Sequence, residues 1–127
     1  MQRGIGMEQG FAVKGRMAGL NEYTAANRAH WSLGAQVKKN ETEKAMWAIR
    51  AARLKPFEKP VSVAILWAEK GRMRDPDNVA FAAKFIMDAL VKTGTIPDDG
   101  QKWVRSITNE VAVDKDNPRV EVRISDE

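Results

Sequence analysis

Between residues 61 and 67 the chain places Val61, Val63, Ile65 and Trp67 against Ser62, Ala64 and Leu66, so nearly every position is apolar. A short run that is apolar on both sides predicts a strand in the middle of its sheet. Upstream, Phe11, Val13 and Met17 alternate with Ala12, Lys14 and Arg16, the period of a half-buried strand over 11–17. Downstream, Trp103, Ile107, Val111 and Val113 alternate with Ser106, Thr108 and Glu110. Val120, Val122 and Ile124 then share one side of a final strand. A polar turn at 114–118 joins these last two runs, and the pattern predicts an antiparallel hairpin.

Two stretches change to helical spacing. Residues 22–54 are proline-free and rich in Ala, Lys, Glu and Arg, which predicts one long helix or two consecutive ones, with Asn21 as the starting cap. Leu33, Val37, Trp47, Ala51 and Leu54 fall on one stripe; Gly34, Asn40 and Lys44 weaken it, and a break is expected near 38–41. Val79, Ala83, Ile86 and Leu90 recur as the buried stripe of a helix over 79–92, which Asn78 or Asp77 caps and Gly94 ends. The order is β-α-β-α-β-β. It implies an α/β fold, a single domain over 11–127 with helices packed on one face of a mixed four-stranded sheet, behind a loose tail at 1–10.

Composition narrows the chemistry. At 127 residues there is one ordinary core, and with no cysteine there is no disulfide framework, thiolate metal site or cysteine nucleophile. No apolar run is long enough to span a bilayer and the N-terminus has no secretory pattern, so a cytoplasmic protein is expected. Charge is divided unevenly: residues 1–74 hold 14 Lys and Arg against 6 Asp and Glu, and residues 75–127 hold 7 against 11. The basic half offers Arg28, Lys38, Lys39, Arg72 and Arg74 as phosphate contacts; taken singly, each also fits a solvated surface.

The acidic half begins with Arg74-Asp75-Pro76-Asp77-Asn78. Pro76 disfavours the α region at Asp75, and alternation along extended backbone turns Asp75 and Asp77 the same way. A second acidic turn, Asp98-Asp99-Gly100, precedes the next strand. The two turns lie at opposite ends of a helix and converge only if the chain doubles back after Gly94. Carboxylates gathered within a few ångströms repel, and a hard divalent ion such as magnesium, with manganese able to substitute, removes that cost. Lys84, two turns beyond Asp77, can reach back along the helix, and Asp88 sits one turn further as its ion-pair partner. The single histidine, His30, reads as surface, and the four tryptophans, Trp31, Trp47, Trp67 and Trp103, as core or dimer contacts in preference to base-stacking platforms. Alone, Asp75, Asp77 and Asn78 also fit an ordinary turn and helix cap.

Asp75-Pro-Asp77-Asn78, the helix bearing Lys84 and Asp88-Ala-Leu90, and Asp98-Asp99 together resemble the signature of RusA-type Holliday-junction resolvases, small endonucleases common in phages. Gly19-Leu-Asn-Glu-Tyr23 is similar to members from phages of Gram-positive bacteria. The resemblance implies an α/β homodimer that makes paired cuts in four-way DNA junctions with magnesium. Asp75, Asp77 and Asp99 would then be metal ligands and essential carboxylates, Asp98 a secondary ligand or merely a turn residue, and Lys84 the active-site lysine. Five residues separate Asn78 from Lys84, more than in well-known members, which rotates the lysine by part of a turn. The rival expectation is a non-catalytic nucleic-acid-binding module in which the acidic corner holds a structural ion or none.

Overall fold

The computed structural model describes residues 6–127. Its elements are β1 (Glu8–Lys14), α1 (Leu20–Ala29), α2 (Trp31–Ala52), β2 (Val61–Glu69), α3 (Pro76–Ala80), α4 (Ala83–Lys92), β3 (Val104–Val113) and β4 (Arg119–Ser125). They form the expected α/β domain around one four-stranded mixed sheet, in the order β1-β4-β2-β3.

The central position expected for residues 61–67 is correct: β2 lies between β4, antiparallel, and β3, parallel. The expected hairpin of the last two strands is not formed, because β2 lies between β3 and β4. Burial explains the exchange. Val120, Val122 and Ile124 of β4 are all buried, so this strand belongs inside the sheet, paired with β1 on its other side. Residues 105–110 of β3 are exposed, which suits an edge. Short-range alternation reports a strand but cannot choose its neighbour.

Several boundaries also moved. β1 begins at Glu8, three residues before the expected strand and inside the expected tail; residues 1–5 of that tail lie outside the described residues. Gln9 breaks the apolar period yet is held there: its side-chain amide donates to the Lys55 carbonyl and its Oε1 accepts from the Lys55 N–H, both at 2.8 Å. The long helical stretch breaks at His30, not near 38–41. His30 is extended (φ −169°, ψ 141°) and its Nδ1 accepts from the Ser32 N–H, capping α2.

Gly34 does not interrupt α2 but lets α1 approach it, since a Cβ there would lie 1.7 Å from the Asn27 side-chain oxygen. The stripe of α2 that faces the core contains Gly34, Thr42, Ala45 and Ile49. Leu33 and Trp47, assigned to that stripe from the sequence, are exposed.

The core lies between the sheet and helices α2 and α4. Trp67, Phe57, Phe85, Ile86, Leu90 and Ile124 are fully buried there, and Trp67 Nε1 donates to Asn109 Oδ1 at 2.9 Å. Gly94 ends the second helical stretch with φ +75°, as its sequence position predicts. That stretch is not one helix: α3 closes at Phe81 and α4 restarts at Ala83.

Candidate functional site

The acidic corner is built on the first turn of α3. Asp75, not Asp77 or Asn78, occupies the N-cap position, with extended backbone (φ −66°, ψ 149°) and no side-chain capping bond. Pro76 follows at the first helical position, where its missing N–H costs nothing. The Asp75 and Asp77 carboxylates are both exposed. Asp77 lies in the first turn, where the positive end of the helix dipole favours an anion. Asn78 faces inward instead, and its Oδ1 accepts from the Asn21 N–H at 2.9 Å, which docks the start of α1 on α3. Gly19 permits that docking: a Cβ there would lie 2.7 Å from Asn78 Oδ1 and 2.8 Å from the Asn78 carbonyl.

Behind the corner is a charged clamp that sequence reading did not find. Arg74 Nε and Nη2 each donate at 2.8 Å to one oxygen of Glu69, the last residue of β2, while Nη1 donates to the Met17 carbonyl at 2.9 Å and to Glu22 Oε1 at 3.1 Å. Glu69 is only 7% exposed. Its hydrogen bond is the main cause that raises the Arg74 pKa above its ordinary value, so the guanidinium stays charged. Glu22 also accepts from the Gly19 N–H and from Arg16. Every guanidinium nitrogen of Arg74 therefore has a partner within the chain. Nothing in the sequence around Glu69 marks it, because it ends an apolar strand run like any solvent-facing residue.

Lys84 opens α4 and is exposed, with Nζ 3.9 Å from Asp88 Oδ1. Asp88 also faces Lys38 of α2, whose Nζ lies 3.9 Å from Oδ2. The expected Lys84–Asp88 pair is thus a three-membered contact between two helices. Arg28, Lys39 and Arg72 are exposed and form no ion pair among the described residues.

Asp98 and Asp99 are exposed too, but they do not join the corner. β2 and β3 are parallel, with Val61 beside Val104 and Glu69 beside Val113. Asp75 follows the Glu69 end. Asp99 precedes the Val104 end, where the Gly100 carbonyl accepts from the Trp103 and Val104 N–H groups and the Val61 N–H donates to the Trp103 carbonyl. At about 3.3 Å per residue, the nine residues of β2 separate these ends by roughly 26 Å. The chain after Gly94 does not double back along the helix. Consistently, no group of three or more His, Asp or Glu side chains among the described residues is placed to hold a metal ion.

The acidic corner, the lysine on the helix after it and the second acidic turn are arranged along one β2-α3-α4-β3 unit, and that unit lies within a matched family model. The model described as Endodeoxyribonuclease RusA matches residues 17–125. This chain belongs to the RusA family. Among curated proteins, none matches the chain. The RusA family is one of Holliday-junction endodeoxyribonucleases, and the matched span contains Asp75, Asp77, Lys84, Asp98 and Asp99 while leaving out β1. None of the helices among the described residues is long and apolar enough to cross a membrane.

Proposed function

We propose that this RusA-family chain is a cytoplasmic, metal-dependent endonuclease that resolves four-way DNA junctions by paired phosphodiester hydrolysis as a two-fold homodimer. The observation that carries the reading is the Asp75–Asp77 pair, exposed on the first turn of α3 next to the anchored Arg74, in a family of junction endonucleases.

The magnesium implied by the family does not find a full set of carboxylates in one chain. Asp75 and Asp77 supply two, and Asp99 is too far away to supply the third. We infer that a two-fold dimer would complete the set, with Asp99 and Asp98 of the second copy joining the Asp75–Asp77 pair of the first. Completed in this way, the donors are all hard oxygens, which suit magnesium or manganese. Such an ion, when bound, supplies Lewis acidity and an activated water for phosphodiester hydrolysis. The chain's own residues do the rest. Lys84 offers its ammonium to the phosphoryl oxygens, with Asp88 orienting it. Arg28, Lys38, Lys39 and Arg72 hold the backbone of the arms without reading sequence.

The test is cleavage of an end-labelled four-way junction with a short mobile core, beside a linear duplex of the same sequence, with and without magnesium. Paired nicks in the junction alone, dependent on the ion, are expected. The gap between the acidic turns of one chain also favours a second reading, a junction-binding module without catalysis. Tight junction binding with no cut at any magnesium or manganese concentration would establish that reading instead.

A further inference from the structure

The turn between α1 and α2 carries an aromatic ring that the fold does not use. All residues from 27 to 33 are exposed, and Trp31 is 75% exposed, so of the core or dimer contact expected of it from the sequence the core alternative does not apply. The ring is nonetheless on an ordered support. The His30 N–H donates to the Ala26 carbonyl, the Leu33 N–H donates to the His30 carbonyl, and His30 Nδ1 lies 2.6 Å from Ser32 Oγ. The close approach of Asn27 to Gly34 fixes the two helices against each other just behind the turn. The His30 and Trp31 rings lie side by side, with centroids 5.5 Å apart and planes 32° from parallel. Arg28 stands two residues before His30 at the end of α1, and Lys38 and Lys39 follow about two turns along α2, Lys38 facing Asp88; all three are exposed.

The turn is also tied to the acidic corner. The start of α1 is bonded to Asn78 through the Asn21 N–H, and Tyr23 packs on Phe81 and Phe85 with centroids 5.4 and 6.2 Å away. From there the ten residues of α1 lead to the turn, about 15 Å at 1.5 Å per residue. That distance corresponds to roughly four stacked base pairs at about 3.4 Å each. A phosphate at the acidic corner and a base at the turn can therefore belong to the same stretch of DNA.

We propose that the His30–Trp31 turn is a stacking platform for a base at the branch point of the junction. A flat, exposed ring beside His30, on a turn whose flanking helices carry Arg28 and Lys39, matches an unstacked nucleobase and its flanking phosphates. A continuous duplex keeps its bases stacked and presents no such face, so the platform distinguishes branched from linear DNA without reading sequence. Arg28, Lys38 and Lys39 supply the non-selective attraction; Trp31 supplies the selectivity. This rests on the junction reading proposed above.

The experiment measures binding to a junction carrying 2-aminopurine at the crossover, and to a linear duplex, for wild type, Trp31→Ala and Trp31→Phe, without divalent ions. Wild type should change the fluorescence of the crossover base. Trp31→Ala should lose that change and weaken junction binding by about tenfold or more, with duplex binding and melting temperature unchanged, while Trp31→Phe should restore most of the affinity. Equal junction binding by wild type and Trp31→Ala overturns the platform alone. So does a Trp31→Ala protein that sediments as a monomer where wild type is a dimer, since the ring then belongs to a second copy. A wild type that does not distinguish junction from duplex overturns the junction reading and the platform with it.

Discussion

Arg74 and Glu69 form a forked ion pair, two 2.8 Å hydrogen bonds between one guanidinium and one carboxylate, at the residue that precedes the exposed Asp75. The pair joins the end of β2 to the start of α3, and the remaining Arg74 nitrogen extends the tie to Met17 and Glu22. Asp75 is therefore held by its neighbour in sequence, through bonds that a lysine could not reproduce.

Arg74→Ala should leave Glu69 buried without a partner and destabilise the fold by about 3 kcal/mol, read by chemical denaturation. In Arg74→Lys the charge survives and the fork is lost, so cleavage should fall while the salt dependence of junction binding keeps its slope. Arg72→Ala should reduce that slope by about one unit and leave stability near wild type. A shallower slope for Arg74→Lys would place this residue among the phosphate contacts.

Asp75→Asn removes a negative charge that faces phosphate and leaves the clamp intact. Cleavage should disappear while junction affinity is retained or improved, measured by gel shift in the absence of divalent ions. Loss of binding together with cleavage would count against Asp75 as a catalytic carboxylate.

The distance between the two acidic turns makes a prediction about mixed dimers. Asp75→Asn and Asp99→Asn should each be inactive alone. Subunits exchanged between the two variants should regain nicking of a single strand, because one site in each mixed dimer combines an intact Asp75 with the partner subunit's Asp99. If both carboxylates acted from the same chain, the mixture would stay inactive.

One acid-sensitive contact lies in the turn between β3 and β4. Arg119 donates to Asp114 at 2.7 Å and holds its carboxyl below the ordinary value of 3.8. A depressed folded-state pKa contributes stability that is present above the unfolded value and is lost as pH falls through the folded one. Melting temperatures of wild type and Asp114→Asn should therefore differ at pH 6 and converge as the pH drops below about 3.8. A difference that persists unchanged at pH 2 would assign the effect of the substitution to something other than this ionisation.

Local pattern determined much of this protein. Alternation over 61–67 identified the central strand, the helical recurrence of Val79, Ile86 and Leu90 identified the buried face of the second helical stretch, and Gly94 marked its end, because these features depend only on neighbours along the chain. The Asp75-Pro-Asp77 corner and the Asp98-Asp99 turn were equally legible, since acidic residues around a proline or before a strand carry their own backbone preferences. Tertiary structure alone decided what those elements touch. It placed β4 beside β2 in preference to β3, because burial on both edges of a strand depends on partners distant in sequence. It turned Arg74 onto Glu69, and it left Trp31, expected as a core or dimer contact, in solvent at the turn between α1 and α2. The parallel pairing of β2 and β3 also separated Asp75 from Asp99. A crossover helix returns the chain to the end of the sheet from which it started, so two acidic turns that flank such a helix lie at opposite ends of the sheet.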